Sequence, residues 1–135
     1  MPRKWVLVVD DDSSILTVVE EAIEHPELSV TTAGDARQAV IQARELKPIV
    51  IVTDISMPGQ DGSLILKLLR REPGMLKCPV IFMTGMALEV ARELLPQDDP
   101  SISLISKPLK LEMLRDRVWA LAGIAPAAPP FGGRP

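Results

Sequence analysis

Four short segments carry the residues that could do chemistry: Asp10-Asp11-Asp12, Thr53-Asp54, Thr84-Gly85 and Ser106-Lys107-Pro108. Each follows directly on an apolar run. Carboxylates brought together without a counter-charge repel one another and raise one another's pKa. A hard divalent cation relieves that repulsion. Mg²⁺ takes oxygen ligands, keeps several waters and is typically held by one or two carboxylates plus a phosphate. A lysine and a hydroxyl opposite such a metal could hold the remaining oxygens of a phosphoryl group. These are the parts needed for phosphoryl transfer, where positioning and charge neutralisation matter most. A carboxylate can itself be the acceptor, and no Cys or His is placed to compete for that role.

These segments converge only if the fold brings them to one rim. Apolar runs at 6–9, 28–32, 49–52, 80–83 and 102–105 predict five short strands. Those at 6–9, 49–52 and 80–83 are apolar at every position, as strands covered on both faces are. Helical periods lie between them. Ala36, Ala39, Val40, Ala43 and Leu46 follow a capping Asp35. Leu111, Leu114, Val118, Leu121 and Ala122 share a face that stops at Gly123. Pro26, Pro48, Pro73 and Pro96 follow predicted helices, and Pro79 precedes a strand. Strand–helix alternation repeated five times predicts an α/β fold, a doubly wound five-stranded parallel sheet with helices on both faces. In such sheets ligands bind beyond the carboxyl ends of the strands, where Asp10, Asp11, Asp54, Thr84 and Lys107 all fall. The second strand ends in Thr32-Ala33-Gly34 and offers no charge.

Composition bounds the alternatives. The chain has 135 residues, 47% hydrophobic and 24% charged, ordinary for one globular domain. A net charge of −3 supplies no basic footprint for nucleic acid. No apolar stretch approaches membrane-spanning length, and Met1-Pro-Arg-Lys-Trp5 leads into a strand without a secretory apolar region. The single Cys78 cannot form an internal bridge, so a reducing, cytoplasmic compartment is expected. Of 13 prolines, Pro126, Pro129, Pro130 and Pro135 fall in the last ten residues. Residues 124–135 therefore read as a disordered tail or the start of a linker, and residues 1–123 as the domain.

Val8-Val-Asp-Asp11, Asp54-Ile-Ser-Met-Pro-Gly-Gln-Asp-Gly62, Thr84-Gly85 and Lys107-Pro108 resemble the receiver domain of bacterial response regulators in two-component signalling, over roughly residues 4–123. The intervals between these elements also suit that family. The resemblance implies a flavodoxin-like fold with strand order 2-1-3-4-5. It implies that Asp54 accepts a phosphoryl group from a histidine kinase or phosphotransfer protein. Asp11 would bind Mg²⁺ (or Mn²⁺) directly and Asp10 through water, with the Asp54 carboxylate and the Ser56 backbone carbonyl completing the protein ligands. Thr84 and Lys107 would each take a phosphoryl oxygen, and the Lys107-Pro108 bond is often cis in the family. The chemistry implied is self-directed transfer to Asp54 and autodephosphorylation, not turnover of a separate substrate. The switched surface would be the face of the fourth helix, fifth strand and fifth helix, open to a homodimer or an output partner. Membrane and nucleic acid are not expected partners of this chain.

Simpler roles stand beside these. Asp12 reads as a cap of the first helix, shared with Ser13, and Asp61 as a cap of the third. Pro58, Gly59 and Gly62 shape the loop between them. His25 reads as a cation at a helix C-terminus, Cys78 as a small residue at a strand entrance, Lys67, Arg70 and Arg71 as a solvated helix end, and Trp5 and Trp119 as packing. Two features depart from the family. Leu104 stands where many receivers carry an aromatic residue three positions before the lysine, and Pro96-Gln-Asp-Asp-Pro-Ser101 replaces the usual Gly-Ala pair. Both touch the output mechanism rather than the acceptor. Met86 and Ser56 flank the site, two positions after Thr84 and Asp54. One alternative is a haloacid-dehalogenase-like phosphatase with Asp10 as nucleophile, although its acidic pair should follow the lysine, whereas Asp98-Asp99 precedes Lys107. Another is a degenerate receiver acting only as an interaction module.

Overall fold

The computed structural model describes residues 4–57 and 60–124, the side chains of 57–63 excepted. The expected tail therefore lies, apart from Ile124, outside the described residues, as do Pro58, Gly59 and the capping carboxylate expected of Asp61. Five strands alternate with five helices: β1 (Lys4–Val9), α1 (Ser13–Ile23), β2 (Leu28–Ala33), α2 (Ala36–Leu46), β3 (Val50–Asp54), α3 (Gly62–Arg70), β4 (Val80–Thr84), α4 (Leu88–Glu93), β5 (Ile102–Ser106) and α5 (Leu111–Leu121). A two-residue antiparallel ribbon, Ser56–Met57 with Gln60–Asp61, links β3 to α3. The main sheet is wholly parallel in the order β2-β1-β3-β4-β5, as expected. The order reverses between β1 and β3, so the ends of those two strands flank the switch point.

The sequence pattern explains which strands lie where. β3 and β4 are buried along their whole length and β1 along its last four residues, whereas β5, with one strand neighbour, stays half-exposed. Successive side chains point to opposite faces. Leu7, Val9, Ile51 and Phe82 therefore pack under α2, α3 and α4, and Val6, Val8, Val52, Ile81 and Met83 under α1 and α5. Each such fully buried side chain stabilises the fold by about 1.5–3 kcal/mol. α2 sets Ala36, Ala39 and Ala43 against the sheet, small residues that let its backbone approach closely.

Helix ends agree with local chemistry, with one correction. Asp12 is the N-cap of α1, its side chain accepting from the Ser14 N–H and hydroxyl at 2.9 and 2.6 Å, while Ser13, expected to share the cap, is the first residue of the helix. Asp35 caps α2 by accepting from Gln38 N–H at 2.8 Å. His25 follows the Glu24 C-cap of α1; its Nδ1 accepts the Glu27 N–H at 3.0 Å, and its ring meets Trp119 edge-on at 5.1 Å.

Two further expectations fail for packing reasons. The buried face of α5 is Leu114, Val118, Trp119 and Ala122, whereas Leu111 and Leu121 are exposed. Trp119 rotates the face away from Leu121 by filling the α1 side, where its indole N–H donates to Ile23 O at 2.9 Å. Arg70 is not part of a solvated helix end. Its side chain is only 14% exposed and bridges the loops that enter β4 and β5. Trp119 and Cys78 are packing residues, as expected.

Candidate functional site

Each candidate side chain owes its position to a strand end. Asp10 follows β1, and its N–H still donates to Ala33 O of β2 at 3.1 Å. Asp54 is the last residue of β3 and Thr84 of β4. Lys107 follows β5, its N–H extending the ladder to Thr84 O at 2.7 Å, and the Lys107-Pro108 peptide is cis. The residues that strand alternation scattered along the chain thus meet on one rim, at the switch point.

Asp10 is 1% exposed and has both oxygens engaged. Oδ1 accepts the Asp12 N–H at 3.0 Å, and Oδ2 accepts from Lys107 Nζ at 3.1 Å. Asp54, 7% exposed, accepts the Ser56 N–H on Oδ1 at a long 3.3 Å. Its Oδ2 lies 3.6 Å from Lys107 Nζ. Asp11 is exposed, and Asp10, Asp11 and Asp54 each offer an oxygen within 4.8 Å of the others. One ammonium therefore pairs with two of three converging carboxylates.

The electrostatics follow from that crowding. Burial pushes the Asp54 carboxyl above its usual range and the Asp10 charge adds to this, while the Ser56 N–H and Lys107 oppose it. For Lys107 burial favours the neutral amine, but the hydrogen bond to Asp10 and the charges of Asp54 and Asp10 outweigh it, so its pKa rises. The donor set is entirely oxygen and carries excess negative charge, which suits a hard divalent cation such as Mg²⁺.

The structure therefore unites Asp10, Asp11, Asp54 and Lys107 as expected. Thr84 ends the adjacent strand, fully buried, and its Oγ1 accepts the Met86 N–H at 2.9 Å instead of meeting the acids. Leu104 is half-buried, pairs in register with Phe82 and packs with Met86 against the α2–α4 side of the sheet. One contact escaped the reading of Asp12 as a helix cap: its backbone N–H also orients Asp10. The Asp-x-Asp spacing at a strand end was the available signal, since an Asx turn needs an acceptor two residues before the N–H.

The sequence model of the response regulator receiver domain matches residues 6–119. The chain belongs to the response regulator receiver family. Among relatives, the DNA-binding transcriptional regulator NtrC of Salmonella typhimurium is 42% identical over 85 residues, covering 63% of this chain and 18% of the relative. The regulatory protein PhoP of Bacillus subtilis is 33% identical over 122 residues, covering 88% of this chain and 48% of the relative. The receiver thus spans at most about half the length of these relatives. Among solved structures, a Francisella response regulator receiver domain superposes with a TM-score of 0.74 at 30% identity, covering 90% of this chain and 98% of that one. The chemotaxis protein CheY4 of Vibrio cholerae, at 24% identity, shares the fold with a TM-score of 0.78, covering 88% of this chain and 98% of that one. Receiver domains serve two-component systems, are generally Mg²⁺-dependent and interact with histidine kinases and output domains. Among the described residues no helix is long and apolar enough to cross a membrane.

Proposed function

We propose that this receiver is a phosphorylation switch in which Asp54 accepts a phosphoryl group from the phosphohistidine of a sensor kinase or phosphotransfer protein. The observation that carries the reading is the Asp54 carboxylate at the switch point, sharing Lys107 with Asp10 and lying within reach of Asp11. In the transfer an Asp54 oxygen attacks phosphorus while the phosphorus–nitrogen bond breaks, and the electron pair leaves with the imidazole. Lys107 neutralises Asp10 before transfer and is near enough to Asp54 to take up a phosphoryl oxygen afterwards. Asp10, Asp11, Asp54 and the Ser56 carbonyl would hold Mg²⁺. Bound there, the metal would supply the positive charge that lets carboxylates and phosphoryl oxygens share the site.

Asp10 suits the nucleophile's role less well, because it is buried with both oxygens already accepting. The domain acts on itself, through transfer to Asp54 and later hydrolysis, and not as an enzyme for a separate substrate. Its single cysteine is consistent with work in a reducing, cytoplasmic compartment. Modification biases the α4–β5–α5 face toward one of two arrangements, through contacts that differ between them. A second copy or an output partner would bind that face, where a groove of about 770 Å³ between β5 and α5 is lined by Leu104, Ile105 and Met113 and edged by Lys110, Asp116 and Arg117.

Intact-protein mass after incubation with acetyl phosphate tests the reading, with Mg²⁺ or EDTA, for wild type, Asp54→Asn and Asp10→Asn. A single phosphoryl adduct that requires Mg²⁺ and vanishes in Asp54→Asn is expected. An adduct or steady donor turnover that survives in Asp54→Asn and is lost in Asp10→Asn would transfer the role to Asp10. No adduct in any folded sample, with kinase as well as acetyl phosphate, would leave an interaction module.

A further inference from the structure

Arg70, the last residue of α3, ties together the two loops that lead into β4 and β5. Its Nη1 donates to the carbonyls of Met75 and Cys78 at 2.7 and 2.8 Å, both in the loop before β4. Its Nη2 donates to Ser101 Oγ at 2.7 Å and lies 3.6 Å from Asp99 Oδ2, both in the turn before β5. That turn is closed in its own right, since the Ser101 N–H and hydroxyl both donate to Asp99 Oδ1, at 2.9 and 2.5 Å. The first rung between β4 and β5, Val80 N–H to Ser101 O at 2.9 Å, starts directly beside it. Hydrogen bonds from a guanidinium are among the stronger ones in proteins, and a planar fork fixes orientation as well as distance.

At the opposite end of the same unit the tie is Lys107, whose Nζ pairs with the carboxylates of the candidate site itself, and the helix between the two strands is weakly held. α4 has six residues, begins at Ala87 without a side-chain cap, and leaves Val90 half-exposed. β5 is an edge strand with one neighbour and no fully buried residue. Thr84 and Lys107 sit at the exit ends of β4 and β5, about 17 Å of strand from the Arg70 end.

We infer that Arg70 pins the entry of β5, so that local opening of the α4–β5 unit is confined to α4 and the exit half of β5, next to the candidate site. The role given to that opening in signalling rests on the phosphorylation reading above; the pin itself does not. Local opening draws on the least protected parts of a structure, and the pin decides which part that is. The Pro96–Ser101 turn, which departs from the family pattern, supplies two of the partners.

Hydrogen–deuterium exchange by peptide mass spectrometry tests the inference, on wild type, Arg70→Lys, Arg70→Gln and Asp99→Asn. In the unmodified proteins, Arg70→Gln should speed exchange of residues 99–106 by about tenfold or more, the least expected from losing one charge-assisted bond, and leave β1 and β3 unchanged. Arg70→Lys and Asp99→Asn, which keep part of the network, should give smaller increases in the same segment. With acetyl phosphate and Mg²⁺, the response in wild type should fall in α4 and residues 104–107, and in Arg70→Gln it should spread into 99–103. Unchanged exchange at 99–106 in all variants would overturn the inference. An equal rise in β1 and β3 would also overturn it, by making Arg70 a contributor to global stability alone. Should wild type show no adduct and no response with acetyl phosphate or with kinase, the phosphorylation reading fails, while the unmodified variants still decide the pin.

Discussion

Replacing Asp54 with Asn keeps the outline of the side chain and removes one of three converging carboxylate charges. The size of the effect can be worked from the geometry. At no more than 4.8 Å and an effective dielectric of about 20, repulsion between Asp54 and Asp10 is worth at least about 3.5 kcal/mol. Lys107, 3.6 Å away, returns about 4.6 kcal/mol on the same scale. Asp11 adds a smaller repulsion because it is exposed and solvent screens it. The charge terms therefore nearly cancel, and burial remains as the leading reason that the Asp54 pKa is raised. Burying a carboxylate costs several kcal/mol and burying an amide about 1–3, so after the weak Ser56 bond the exchange should stabilise the metal-free protein by about 1–2 kcal/mol. For a chain of this size that is a rise of about 3–8 °C in Tm.

Scanning calorimetry at pH 7 in EDTA measures the difference directly. Mg²⁺ binds the folded wild type and should raise its Tm, narrowing the gap. The pH dependence gives a second check with a fixed sign. The folded-state pKa of Asp54 lies above its unfolded value, so wild type loses stability as pH rises from the unfolded pKa through the folded one, and the Asn variant does not. The gap should be small at the acid end of the carboxylate range, open as pH rises through it, and be constant by neutrality. An Asn variant that melts at or below wild type in EDTA, or a gap that widens toward acid, would refute the crowding argument.

Three further outcomes are expected. Lys107→Ala leaves the buried Asp10 without its ion-pair partner and should cost about 3 kcal/mol, read as a lower urea midpoint at pH 7. The same ion pairs raise the Lys107 pKa, so in wild type their contribution persists through neutral pH and is lost only as strongly alkaline pH passes the folded-state value. Asp12→Ala removes the α1 cap and should lower Tm, with Asp12→Ser recovering most of the loss; equal melting of all three proteins would remove the capping role. Burial pushes the Cys78 thiol up to about 11, so iodoacetamide at pH 8 should label the native protein far more slowly than the unfolded one, as counted by mass.

The strand–helix alternation, the buried character of β1, β3 and β4, and the placement of Asp10, Asp54, Thr84 and Lys107 at strand ends were legible because they are local. Apolar runs, prolines and caps are written within a few residues, and period-two and period-3.6 patterns expose them directly. The strand order came from resemblance, since alternation fixes parallel pairing and not the point at which the order reverses. Other features depend on residues far apart in the chain. That Arg70 is a bridge and not a solvated end required Met75, Cys78, Asp99 and Ser101 to be brought to it. That His25 meets Trp119 edge-on required α1 and α5 to pack side by side. That Lys107 lies nearer to Asp10 than to Asp54 required three strand ends to be set against one another. Sequence alone therefore determined which groups could react and which elements carry them. Tertiary structure decided which charge pairs with which, because a cation's partner is set by distances of a few ångström across the sheet, and those distances exist only once the strands have assembled.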